Sequence, residues 1–260
     1  MMVIAIAPSY AKSLVHALAL RDTATYRQRV VISPQRNIVS RTWGTSVGKK
    51  SVMAVTGGIF LLYVIAHMIG NLKIFFGIET FDAYSQHLRE IGEAIFGYEG
   101  VLWLIRLVLV TAVVLHMWAA FSLWARAKKA RPIGYQHRQS WQGSYAARTM
   151  RWGGVIIALF VIWHILDLTT GTVNPLGGDE SAYLKLVASF DRWYVALFYI
   201  VAVVALGFHI AHGLWSAIQT FGANSALKQH ALKTFSYVVA AAITIGFAIV
   251  PLSVMTGLVR

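Results

Sequence analysis

The chain has 260 residues, 57% of them hydrophobic and 13% charged, with a mean hydropathy of +0.61. Soluble domains carry about 25% charged residues, so this is the composition of a membrane protein. Without a cysteine it can form no disulfide framework, no thiolate metal site, no catalytic thiol and no iron–sulfur cluster of its own.

Residues 1–20, MMVIAIAPSYAKSLVHALAL, have the faint outline of a signal peptide. They lack a basic start, contain Pro8 and Lys12, and lead into a basic stretch that opposes export. They are expected to lie in the cytoplasm or on the membrane surface, as part of a basic segment over residues 1–50. Five apolar runs follow that are long enough to span a bilayer, at 52–78, 101–125, 152–170, 193–221 and 235–258. The fifth carries Pro251, tolerable in a membrane helix whose neighbours satisfy the freed carbonyl. No internal repeat or low-complexity segment is visible. The expected fold is an all-α integral membrane protein, a five-helix transmembrane bundle over residues 51–260.

The connections set its direction. Residues 1–50 hold eight Lys/Arg against Asp22, and the second-to-third connection holds seven against no acid. The fourth-to-fifth has Lys228 and Lys233 and no acid, whereas residues 79–100 hold five acids against Arg89, and 171–192 three acids against two bases. The positive-inside rule then puts the N-terminus in the cytoplasm and the C-terminus outside. The net charge of +13 is therefore a topology signal and a contact for anionic lipid, not a sign of nucleic-acid binding. The second-to-third connection, with Tyr135, Trp141 and Tyr145 among its bases, is also long enough to dock an acidic partner.

Five of nine histidines fall inside spans: His67, His116, His164, His209 and His212. With alternating helix directions and 1.5 Å per residue, His67 and His164 lie ~18–22 Å from the inner face, and His116 and His209 ~6–8 Å from it. Two histidines at one depth on different helices can clamp an iron porphyrin from both sides, closing both axial positions and suiting electron transfer. Zinc competes for such ligands, and His209-x-x-His212 has a suitable spacing. Zinc, however, wants three or four ligands converging on one point, and these histidines form two separate pairs. The pattern favours two haems stacked across the membrane. His212, one turn past His209, is left to bond an inner propionate, to bond a quinone carbonyl, or to pack.

Other features inside the spans have two readings each. Gly57, Gly58, Gly70 and Gly207 allow close helix packing and equally room for a flat macrocycle. Arg106 and Asp167 lie in the outer half, and an Arg106–Asp167 ion pair is the simplest expectation. Lys73 is expected to snorkel to the outer interface.

Three stretches carry a family resemblance: SVGKKSVMAVTGGIFLLYVIAHMIGNLKIFFG from Ser46, WHILD from Trp163, and FHIAHGLWSAIQTFG from Phe208. Over roughly residues 44–258 the chain resembles the five-helix, single-subunit cytochrome b membrane anchor of succinate dehydrogenase and fumarate reductase (respiratory complex II). The resemblance implies four axial ligands of haem b, His67 with His164 for an outer haem and His116 with His209 for an inner one. This is the same pairing that the depths suggest. It also implies a flavoprotein with FAD that oxidises succinate, and an iron–sulfur subunit docked on the basic cytoplasmic face. The chain would pass electrons on to a quinone in a bacterial-type cytoplasmic membrane.

For an inner quinone site the candidates are Trp43, Ser46, Ser51 and His212. For an outer proton path or propionate contact they are Arg106, Asp167, Glu90, Glu93 and Glu99. A higher oligomer is left open. The rivals are a cytochrome b anchor of another quinone-linked dehydrogenase, which would lack these motifs, and a proton or ion transporter. A transporter predicts broken helices and an internal repeat.

Overall fold

The computed structural model describes residues 43–130, 145–222 and 229–260, with the backbone alone at 145–149. Contacts group Ser46–Arg260 as one compact unit, apart from Met1–Thr45. Residues 1–42 and the stretch holding Tyr135 and Trp141 lie outside the described residues, as does Lys228. The docking surface expected on these basic segments lies there too.

In chain order the helices are α1 (Ser46–Leu72), α2 (Ile78–Glu90), α3 (Glu93–Phe96), α4 (Gly100–Lys129), α5 (Tyr145–His164), α6 (Ala182–Asp191), α7 (Trp193–Thr220) and α8 (Gln229–Met255). A 3₁₀ turn, Lys73–Phe76, prolongs α1, and a π-helical segment, Ile165–Thr169, prolongs α5. No strand occurs among the described residues. Five helices are long and apolar enough to cross a membrane: α1 with its 3₁₀ turn, α4, α5 from Met150 through its π segment, α7 and α8. The chain is a multi-pass membrane protein. Helix α8 starts earlier than its apolar run, so Lys233 is helical rather than part of a loop, and its Nζ lies 4.9 Å from the centre of the Trp215 ring.

Helix α1 packs against α4, α7 and α8, and α7 packs against α1, α5 and α8. Close contacts run in the sequence α4–α1–α7–α5, and α8 packs against both α1 and α7. Close approach between α7 and α8 depends on Gly207, where any Cβ would collide with the Thr244 side chain. The pairs α1/α5 and α4/α7 are not among the closely packed ones. They face each other across the bundle. Burial follows the same arrangement: 44% and 39% of the most apolar windows of α7 and α8 are buried, but only 6% and 11% of those of α4 and α5.

The acidic connections, expected as loops, contain helices. Helix α6 starts at Ser181, whose Oγ accepts from Leu184 N at 3.1 Å. It buries Tyr183, Leu186 and Phe190 in a cluster with Phe81 of α2 and Val195, Ala196 and Tyr199 of α7. Asp82 of α2 accepts from Tyr183 N at 3.0 Å, and the Tyr183 hydroxyl donates to the Arg260 carbonyl at 3.0 Å. These helices, of 13, 4 and 10 residues, escaped a search for 20-residue apolar runs because they are too short to span a bilayer. They cap one end of the bundle, here the acidic end; the end bearing Lys49 and Lys129 is the basic end. The chain turns out of α8 at Gly257, φ +73°, with Leu258 N donating to Ser253 O at 2.9 Å, a closure that needs a left-handed residue.

Candidate functional site

The four matched histidines meet in two pairs. The rings of His67 (α1) and His164 (α5) have centroids 5.7 Å apart and planes at 89°. Those of His116 (α4) and His209 (α7) are 6.3 Å apart and tilted by 51°. Each pair joins two helices that face each other across the bundle without packing directly, so side chains rather than backbones close the gap. A metal–nitrogen bond of about 2 Å on each side, plus roughly 1 Å from nitrogen to ring centre, separates two axial imidazole centroids by about 6 Å. The centroid separations of both pairs lie close to that distance. No group of three or more His, Cys, Asp or Glu converges among the described residues, so the zinc alternative finds no site there.

Neighbours orient the rings. Thr56 Oγ1 donates to Val52 O at 2.7 Å and lies 2.9 Å from His116 Nδ1. A hydroxyl whose proton is already engaged accepts from Nδ1–H, which leaves the His116 Nε2 lone pair for a ligand. His67 stacks on Tyr63, 5.4 Å away with planes 13° apart, and meets Phe247 at 6.0 Å. His164 is flanked by Phe160 and Tyr199. Nδ1 of His164 and of His209 are buried without a hydrogen-bond partner among the described residues. A Cβ on Gly57 would touch His116 Cε1 at 3.8 Å, and one on Gly154 would touch His209 Cε1 at 3.9 Å.

Residues 127–250 match the family model "Succinate dehydrogenase/Fumarate reductase transmembrane subunit". The chain is also 26% identical over 179 residues to the succinate dehydrogenase cytochrome b558 subunit of Bacillus subtilis (strain 168), covering 68% of this chain and 79% of that protein. Both matches are to membrane subunits of succinate dehydrogenase or fumarate reductase. No solved structure matches it.

The glycines of the spans divide by role. Gly70 lies against the Tyr84 ring, where a Cβ would come within 2.9 Å, and Gly207 lies against Thr244. Both serve helix packing; Gly57, and Gly154, which the sequence reading missed, are the glycines that lie beside the paired histidines. Gly58 has nothing within 4 Å of where its Cβ would be. Lys73 Nζ lies 5.0 Å from the centre of the Tyr84 ring.

The expected Arg106–Asp167 pair does not form. Arg106 donates to Glu99 at 3.4 Å and stacks on Trp103, and Glu99 also accepts from Arg89 at 3.2 Å. Asp167 lies in the π segment, fully buried, and pairs with Arg192 at 3.2 Å. Its carboxylate also accepts from Ser189 Oγ, from the Tyr199 hydroxyl at 3.0 Å and from Asn174 Nδ2 at 3.2 Å. Four donors from the α5–α6 connection, α6, the α6–α7 junction and α7 thus hold one carboxylate, because charge buried in hydrocarbon must be paired and bonded. Arg192 was overlooked because it sits at the edge of a span, 25 residues on. Glu90 accepts from Gln86 Nε2 at 2.9 Å, and Glu93 is exposed in α3.

Ser46 opens α1 and is exposed, and Ser51 Oγ donates to Val47 O at 3.2 Å. His212 meets the Trp215 ring edge-on at 5.9 Å. No hydrogen bond or ring contact joins these serines to His212 among the described residues. Trp43 precedes α1 and is exposed.

Proposed function

We propose that the chain is the haem-bearing electron relay of a succinate:quinone oxidoreductase. The observation that carries this reading is the pair of facing imidazoles on each of two diagonals, one toward each end of the bundle, with the spacing one iron requires. Haem b, which these histidines would hold, would supply one-electron transfer. His67 and His164 bind at the acidic end, and His116 and His209 at the basic end. Thr56 fixes the tautomer of His116, while Phe160, Tyr199 and Phe247 exclude water around the acidic-end pair.

The basic end faces the cytoplasm and receives electrons from an iron–sulfur subunit. That subunit is fed by a flavoprotein that oxidises succinate, and quinone takes the electrons within the membrane. The family match and the cytochrome b558 relative support these partners. The test is a dithionite-reduced minus oxidised spectrum with a pyridine haemochrome count per chain. Two b-type haems are expected, one lost in H67A or H164A and the other in H116A or H209A. A count of none, or loss of both haems in every variant, overturns the assignment.

A further inference from the structure

At the basic end Lys49 is buried, 7% exposed, although most lysines on that side reach water. Its Nζ donates to Ser122 Oγ of α4 and lies 5.2 Å from the centre of the Trp118 ring. A neutral hydroxyl and an aromatic face compensate a buried ammonium only in part, and a buried cation requires an anion. This chain offers almost none at that end. Nine of its ten carboxylates lie within residues 79–99 and 167–191, and the tenth is Asp22. A side chain already covered by its own helices is also a poor contact for a partner's surface.

The position of Lys49 indicates where the anion comes from. Lys49 is seven residues, two helical turns, before Thr56, so both lie on the face of α1 that meets α4, and Thr56 there bonds His116. Ser122 is six residues past His116, ~9 Å along α4. The ammonium therefore lies between the His116–His209 pair and the nearer aqueous edge. Resting on the function proposed above, we propose that Lys49 binds a propionate of the haem held by His116 and His209, with Ser122 as a second donor. The lysine neutralises the carboxylate, and the carboxylate supplies the missing anion.

The test uses the full chain in the H164A background, so that only the basic-end pair loads, produced in haem-deficient cells and purified in detergent. It is titrated with haemin and with haem dimethyl ester, whose propionates are blocked, and Soret absorbance reports binding. The expected result is at least tenfold tighter binding of haemin than of the ester, with the preference abolished in K49M and largely kept in K49R. An unchanged preference in K49M, or none with Lys49 present, overturns the proposal and leaves the haem site standing. If K49M, K49R and K49Q all lose the ester as fully as haemin, Lys49 is structural and the proposal also falls. Uptake of neither compound by the otherwise unaltered chain overturns the haem assignment itself.

Discussion

Thr56 Oγ1 sits 2.9 Å from His116 Nδ1, across the interface between α1 and α4. The hydroxyl donates to Val52 O at 2.7 Å, which leaves its lone pairs turned to the imidazole. A helix that carries one histidine of the acidic-end pair thus also contacts a histidine of the basic-end pair. Replacing Thr56 by Val keeps the shape and removes the hydroxyl beside Nδ1. Loss of such an outer contact typically weakens metal binding by about 10–100-fold. T56V is expected to lose haem selectively from the basic-end pair on dilution or haem capture by apomyoglobin, and T56S to retain it. Equal retention in T56V and the unaltered chain would show that Thr56 has no such role.

Asp167 and Arg192 form the buried ion pair that Arg106 does not. Removing one partner of a buried pair costs about 3–5 kcal/mol, because the other charge is left behind, whereas removing both costs less. D167N is expected to lower the melting temperature of the detergent-purified chain sharply. Adding R192M to D167N should recover part of the loss. A double-mutant cycle measures it, and a coupling energy near zero would mean that Ser189, Tyr199 and Asn174 hold the segment without the charge.

The absence of cysteine makes membrane direction directly measurable, since each introduced thiol is then the only one. In intact cells an impermeant maleimide should label a cysteine at Glu93, exposed in α3 at the acidic end, and spare one at Lys129, at the basic end. After lysis both should react. The opposite pattern would reverse the orientation and move the expected docking face to α2, α3 and α6.

Residue types and spacing made the membrane class, the five spans and the four paired histidines legible. The reason is that each of these is one-dimensional: hydrocarbon thickness converts to about 20 residues, and depth converts to position at 1.5 Å per residue. The charge contrast between successive connections is read in the same way. Gly57 and Gly70 look alike on that axis, and so do Arg106 and Arg192 as partners for Asp167. Which helices are neighbours and which are diagonal, which glycine faces an imidazole and which faces Tyr84, and which arginine reaches Asp167 all depend on rotation of each helix about its own axis. Rotation is set by packing among helices that are apolar nearly all round, where hydrophobic periodicity carries little information. Depth was therefore determined by the sequence alone, and partnership was decided only by the tertiary structure.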